Sequence, residues 1–202
     1  MQNKTATQQQ KKSYLFILGL VIFFTAPLAL VMYMHSADWH PQGDSNGHLI
    51  KPVIAIKVPI GLQGIPTALN DAGSGLWQDK WNMVLVTESC DASCEARLHD
   101  VRQIHASLEK DINRVQRILI THQQDISALK KQYPDLLILN QPSDDVDMLI
   151  AQFNQGKQNA ATAHQLYLVD PLGNWMMAYA EDVSAIDIRK DIVKLLKYSW
   201  AG

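Results

Sequence analysis

From Ser13 to Met34 the chain carries no charged side chain. About 20 apolar residues are enough for a helix to cross the hydrocarbon of a bilayer, so this run predicts one transmembrane helix. Pro27 lies inside it, which a membrane helix tolerates. Tyr14 and Tyr33 sit near its two ends, where aromatic rings suit the interfaces. Lys4, Lys11 and Lys12 precede the run, and no Lys or Arg follows it before Lys51. Positive charge stays on the cytoplasmic side, so the N-terminus is expected inside and the rest outside. The run exceeds the roughly 7–15 apolar residues of a signal peptide, and no small-x-small cleavage site closes it, so the reading is a retained anchor. The expected organisation is a cytoplasmic N-terminus (1–12), an anchor (13–34), a polar linker (35–47) and one exported domain (48–202). That places the protein in the inner (cell) membrane as a single-pass protein, with its domain periplasmic or otherwise extracytoplasmic.

The residues after the anchor, about 160 of them, suffice to bury a core without staples. The formal net charge is −2 and the basic residues are scattered, which excludes a nucleic-acid surface. Hydrophobic periodicity then orders the domain. His48 to Pro59 reads as extended, as two short edge strands interrupted by Pro52, and Gly61 to Gly75 as mostly turn. Trp81–Thr87 and Val115–Thr121 are short apolar runs of the kind that form buried strands. Cys90 to Asn113 reads as the helix between them, with Ala96, Val101, Ile104, Leu108 and Ile112 inward. A short helix from Ile126 to Tyr133 stops at Pro134, and a third strand covers Leu136 to Leu139. Ser143 starts another helix, with Asp144, Asp145 and Asp147 as charge suited to its first turn. Leu166–Val169 and Trp175–Tyr179 form a hairpin across Asp170-Pro171-Leu172-Gly173-Asn174, and Ser184 caps a last helix running to about Trp200. The order β-α-β-α-β-α, hairpin, α predicts an α/β, thioredoxin-like domain behind one transmembrane helix.

The two cysteines, Cys90 and Cys94, fall where the first buried strand meets its helix. That junction lies at the carboxyl edge of the sheet, where open α/β folds place their sites. Cys90 is expected at or near the N-cap and Cys94 one turn later on the same face, so the sulfurs can bond each other or share a metal. A helix N-terminus favours thiolate, but Glu88, Asp91 and Glu95 surround the pair and oppose it. A structural disulfide is the plain alternative, though so short a loop stabilises weakly.

With TESCDASCEARL and AHQLYLVDPLGN in view, the chain resembles the Sco/SenC family of cytochrome c oxidase assembly proteins. Cys90 and Cys94 match its CxxxC pair, Thr87 a threonine often found before it, and His164 the histidine ahead of its hairpin. Tyr167 to Pro171 and Gly173 match the hairpin itself. The sequence departs from the family at Asp91, where proline is usual, and at His122 and Gln123, where aspartate and proline are usual. His164 also stands two residues nearer the hairpin tyrosine than the family's histidine, a displacement of about 7 Å along a strand.

The resemblance implies a thioredoxin-like (Sco-type) domain in which Cys90, Cys94 and His164 hold copper; His122, which ends the second strand on the same sheet edge as the cysteines, is the alternative third ligand. Copper(I) takes soft thiolates and imidazole together. It implies as partner the copper-bearing subunit of a cytochrome oxidase, or other assembly factors, in the same membrane. Three readings stay open: the first is a metallochaperone that delivers copper or reduces the copper-site cysteines, and the second an enzyme, a thiol–disulfide reductase with Cys90 attacking and Cys94 resolving. A scaffold with vestigial thiols is the third. His99 and His105 read as surface residues, and Trp77 and Trp81 as core or edge packing.

Overall fold

A computed structural model describes residues 3–37, 45–62, 75–77, 79–141 and 143–199. The expected linker between 38 and 44 and the turn-rich stretch from 63 to 74 lie outside them. The chain divides into two compact units, Met1–Asp44 and Ser45–Gly202.

The first unit is a helix, α1 (Asn3–Ser36), which extends past both ends of the uncharged run. Within it Phe16–Ser36, 21 residues, is long and apolar enough to cross a membrane. Its side chains are exposed, among them Phe16, Phe23, Leu28 and Met32, as suits contact with lipid rather than a protein core. Pro27 is accommodated inside the helix, and the Thr25 hydroxyl donates to the Val21 carbonyl at 2.8 Å.

The second unit is an α/β thioredoxin-like domain. Its strands are β1 (His48–Ala55), β2 (Trp81–Thr87), β3 (Val115–Thr121), β4 (Leu137–Leu139), β5 (Leu166–Val169) and β6 (Asn174–Tyr179). Its helices are α2 (Ala92–Ala106), α3 (Ser127–Gln132), α4 (Asp144–Ala151) and α5 (Ala185–Tyr198), with 3-10 turns at Ile60–Leu62, Glu109–Arg114 and Ala160–Thr162. The sheet order is β1-β6-β5-β2-β3-β4. The pairs β2–β3 and β3–β4 are parallel, and β2–β5, β5–β6 and β6–β1 are antiparallel. Every residue of β2 is buried, which explains why its sequence is a continuous apolar run rather than an alternation.

Alternate side chains divide between two cores. Met83, Leu85, Val115, Leu119, Leu166 and Leu168 pack with Leu98, Val101 and Ile104 of α2 and Ile188, Ile192 and Leu196 of α5. Val84, Val86, Ile118, Ile120, Tyr167 and Val169 face Val146, Leu149 and Ile150 of α4, with Phe153 and Trp175. The register of β6 shifts between Met177 and Trp175, and this bulge turns Trp175 onto the second core. There its ring meets Tyr167 edge-on, with centroids 5.3 Å apart.

Several expectations change. The segment from Cys90 to Asn113 is not one helix. Its α-helical part is Ala92–Ala106, and after Ser107 and Leu108 a 3-10 turn begins at Glu109, whose φ is left-handed (49°). Leu108 and Ile112 keep a helical spacing across this break, which is why the sequence reads through it. Ala96 is exposed, and the neighbouring Arg97 is buried in its stead. The extended segment is one strand, β1, whose pairing with β6 shifts between Leu49 and Ile54, around Pro52. Trp77 and Trp81 are buried, as expected of core packing.

Candidate active site

The parallel strands β2, β3 and β4 end at one edge of the sheet. β5 begins there, since Leu166 pairs with Leu85, and β6 ends there, since Tyr179 pairs with Leu166. The loop Glu88–Asp91, the segment His122–Asp125, the residues before Leu166 and the loop Ala180–Ser184 therefore converge on that edge.

Cys90 and Cys94 are joined there in a disulfide, with S–S 1.95 Å and Cα–Cα 5.1 Å. The pair is asymmetric. Cys94 belongs to the core beneath α2 and is 5% exposed, whereas Cys90 is only partly buried and packs on the rim of that core. A thiol arriving from solvent therefore meets the sulfur of Cys90 first, and Cys94 is placed to close or reopen the bridge from behind.

The N-cap is Asp91 and not Cys90, which lies one residue outside the helix. Asp91 has extended φ and ψ, and its Oδ1 accepts the Cys94 N–H at 3.0 Å. The Cys90 N–H donates to Oε1 of Gln123 at 2.8 Å. Gln123 is itself held: its N–H donates to the Thr121 hydroxyl at 3.1 Å and its side-chain amide to the Asp125 carbonyl at 2.8 Å. Thr121 donates to the Glu88 carbonyl at 3.2 Å, and Thr87 to the Ser89 carbonyl at 2.8 Å. The cysteine loop is thus fastened by hydroxyls and an amide as well as by the carboxylate of Asp91. Gln123 was not among the expected site residues. Its place, directly after the second buried strand at the same edge, is the signal that points to it.

Arg97 reaches across to the next loop. Its guanidinium donates to the carbonyls of Val183 (3.1 Å), Ala180 (2.9 Å) and Glu181. The only base near the cysteines in sequence is consequently committed to backbone oxygens. Ser93 donates to a carboxylate oxygen of Glu181, tying the same loop to the first turn of α2.

His122 stands at this edge with both ring nitrogens engaged. Nδ1 lies 2.7 Å from Oε2 of Glu88 and Nε2 lies 2.7 Å from Oδ1 of Asp147. The hydrogen bond to Glu88, then that to Asp147, raises its pKa above the ordinary imidazole range. Asp147, expected only as helix-end charge, thus also clasps His122. His164 is half-buried, two residues before β5, in a left-handed conformation with φ 49°. His105, expected on the surface, is partly buried, and its Nε2 donates to the carbonyls of Ile112 (3.1 Å) and Val115 (2.9 Å). Burial, the largest cause, lowers its pKa.

A copper centre wants thiolate sulfurs with a third soft or imidazole donor. Here the two sulfurs are bonded to each other, and both nitrogens of His122 face carboxylates. Among the described residues no group of three or more His, Cys, Asp or Glu is arranged to hold a metal ion, so His164 is not joined with the cysteines in such a set. In this disulfide form the residues present do not fit a copper centre.

Residues 81–199 match the family described as the transmembrane-like, thioredoxin-like, C-terminal domain. The fold is similar to three solved structures at a TM-score of 0.50. Copper-bound ScoI of Arabidopsis thaliana is 14% identical, over 60% of this chain and 86% of that one. Copper-bound Sco1 of yeast is 21% identical, over 59% and 80%. Apo Sco1 of Thermus thermophilus is 16% identical, over 78% and 98%. At such identities the likeness is one of fold. No curated protein matches the sequence.

Proposed function

The chain belongs to the transmembrane-like, thioredoxin-like, C-terminal domain family, and on that premise we propose that it is a membrane-anchored thiol–disulfide exchange protein. Its Cys90–Cys94 pair exchanges two electrons with the cysteines of a partner on the extracytoplasmic side. The observation that carries this reading is the unequal burial of two bonded cysteines at the start of α2. Lys4, Lys11 and Lys12 ahead of the apolar helix support the orientation.

In the reducing direction, the Cys90 thiolate attacks a partner disulfide and forms a mixed disulfide, and the departing partner sulfur takes a proton. Cys94, losing its proton, then attacks Cys90 and releases the second partner thiol. The partner gains two electrons and two protons, and the Cys90–Cys94 bond reforms. The motif around Tyr167–Pro171, together with the CxxxC pair, supports placing the partner among oxidase assembly components of the Sco/SenC kind. The copper-site cysteines of an oxidase subunit are then the substrate.

The test is to mix the reduced full chain, in detergent micelles, with glutathione disulfide. The expected result is release of glutathione thiol with closure of the pair, and a trapped mixed disulfide on Cys90 in the Cys94→Ser variant. Failure of reduced wild type to react removes the reading.

A second reading, copper handling, is favoured by the CxxxC spacing, because reduction frees two thiols four residues apart at the start of α2. Anaerobic titration of the reduced chain with Cu(I) tests it. Stoichiometric binding weakened by His164→Ala supports it, and absence of tight binding ends it.

A further inference from the structure

Resting on that exchange reading, we propose that Asp91 is a positioning residue that makes the Cys90–Cys94 pair an electron donor, so that partner disulfides are its substrates and not its products. A cysteine beside a helix N-terminus is ordinarily activated by the free N–H groups of the first turn and the positive end of the helix dipole. At α2 that arrangement is altered residue by residue. The Cys94 N–H, one turn into the helix, donates to the Asp91 carboxylate at 3.0 Å. The Cys90 N–H donates to Gln123 at 2.8 Å. Two amides beside the sulfurs are therefore occupied, and the helix end already faces a negative charge.

The surroundings do not restore a positive field. Glu95 lies in the first turn of α2. Glu88, in the cysteine loop, and Asp147, on α4, hold His122 between them, so the charge they favour on its ring is matched by their own. From the loop after β6, Glu181 receives the Ser93 hydroxyl. The Arg97 guanidinium, the one cation within reach in sequence, is spent on the carbonyls of Ala180, Glu181 and Val183. A thiolate formed at Cys90 gains little here, so the dithiol form is not favoured over the disulfide. A couple whose reduced form is stabilised oxidises its partners, and one whose reduced form is not stabilised reduces them. Two electrons and two protons then pass from the Cys90–Cys94 dithiol to the partner disulfide. A dithiol protein on the same side of the membrane supplies them back, becoming a disulfide in turn.

The experiment compares the full chain with its Asp91→Asn variant in detergent micelles. Asparagine caps a helix as well as aspartate does but brings no charge. The fraction reduced is measured in graded thiol–disulfide buffers, and the alkylation rate of Cys90 is measured against pH. The expected result is a shift of about tenfold in the equilibrium constant towards the dithiol, equivalent to about 30 mV. The alkylation midpoint of Cys90 is expected to fall as well. Asp91→Ser, a neutral cap, is expected to move both readouts the same way. Glu95→Gln, which removes a first-turn charge that does not cap the Cys94 amide, is expected to shift the equilibrium by less than threefold. An Asp91→Asn constant within twofold of wild type overturns the proposal, as does a Glu95→Gln effect as large as that of Asp91→Asn. A wild-type pair that does not exchange at all fails differently, because it removes the exchange reading beneath the proposal.

Discussion

Helices α2 and α5 pack against each other on one face of the sheet and begin at the same edge, yet their first turns are built for different ends. At α5 the cap is Ser184. Its hydroxyl accepts the Asp187 N–H at 3.2 Å and donates to the Asp187 carboxylate at 2.7 Å, and Lys190 follows at 2.8 Å from the same carboxylate. This is a self-satisfied helix start with its charges paired. At α2 the cap is a carboxylate, the residue before it is a half-buried sulfur, and the second sulfur lies in the core. A start that only has to be stable uses a neutral hydroxyl, whereas the one that carries chemistry places a charge where a thiolate would form.

Substitutions separate the two starts. The largest effect falls on the sulfurs: Cys90→Ser is expected to abolish exchange with glutathione disulfide while leaving the thermal midpoint of the domain within a few degrees, because so short a loop stabilises little. Retained exchange in that variant would make the contrast meaningless. Next comes the link between the two regions. Arg97→Met leaves the carbonyls of Ala180, Glu181 and Val183 without their donor and is expected to cost about 3 kcal/mol in urea unfolding. A cost below about 1 kcal/mol would mean that water replaces the guanidinium. Ser184→Ala is expected to cost about 1 kcal/mol without altering exchange. A changed exchange rate there would show that α5 also tunes the sulfurs.

The smallest effect concerns His122, whose folded pKa is raised by Glu88 and Asp147. Its contribution to stability is full below the unfolded imidazole value and is lost as pH rises through the folded one. Because the ring is 35% exposed, solvent reduces the effect to about 0.5 kcal/mol. His105, with its lowered pKa, contributes in the opposite sense: its stability is present at higher pH and fades as pH falls below the unfolded value. Urea midpoints measured from pH 5 to 8 in His122→Gln and His105→Gln are therefore expected to depart from wild type with opposite slopes.

Much of this architecture is legible in the sequence alone. The interior strands announce themselves because burial on both faces demands unbroken apolar runs, as in Trp81–Thr87 and Val115–Thr121. The cysteine pair is legible because its spacing and its place after β2 coincide. Arg97 and His105 were not legible, since a charged or titratable residue reads as exposed until the loop carbonyls that satisfy it are known. The break after Ala106 was hidden because Leu108 and Ile112 preserve a helical period through a left-handed residue. Gln123 is a long-range partner: its place after β3 brings it to the cysteine edge, but only the fold shows that its side chain meets the Cys90 N–H.

All of the chemistry requires that Cys90 and Cys94 act as one reversible couple at an accessible edge. Equilibrating the full chain in graded dithiothreitol buffers, then alkylating and weighing it, reads this out. A single two-electron transition is expected, with fully reduced and fully bridged species and almost nothing between them. Two cysteines that alkylate independently, or a bridge that never opens in the native protein, would contradict it.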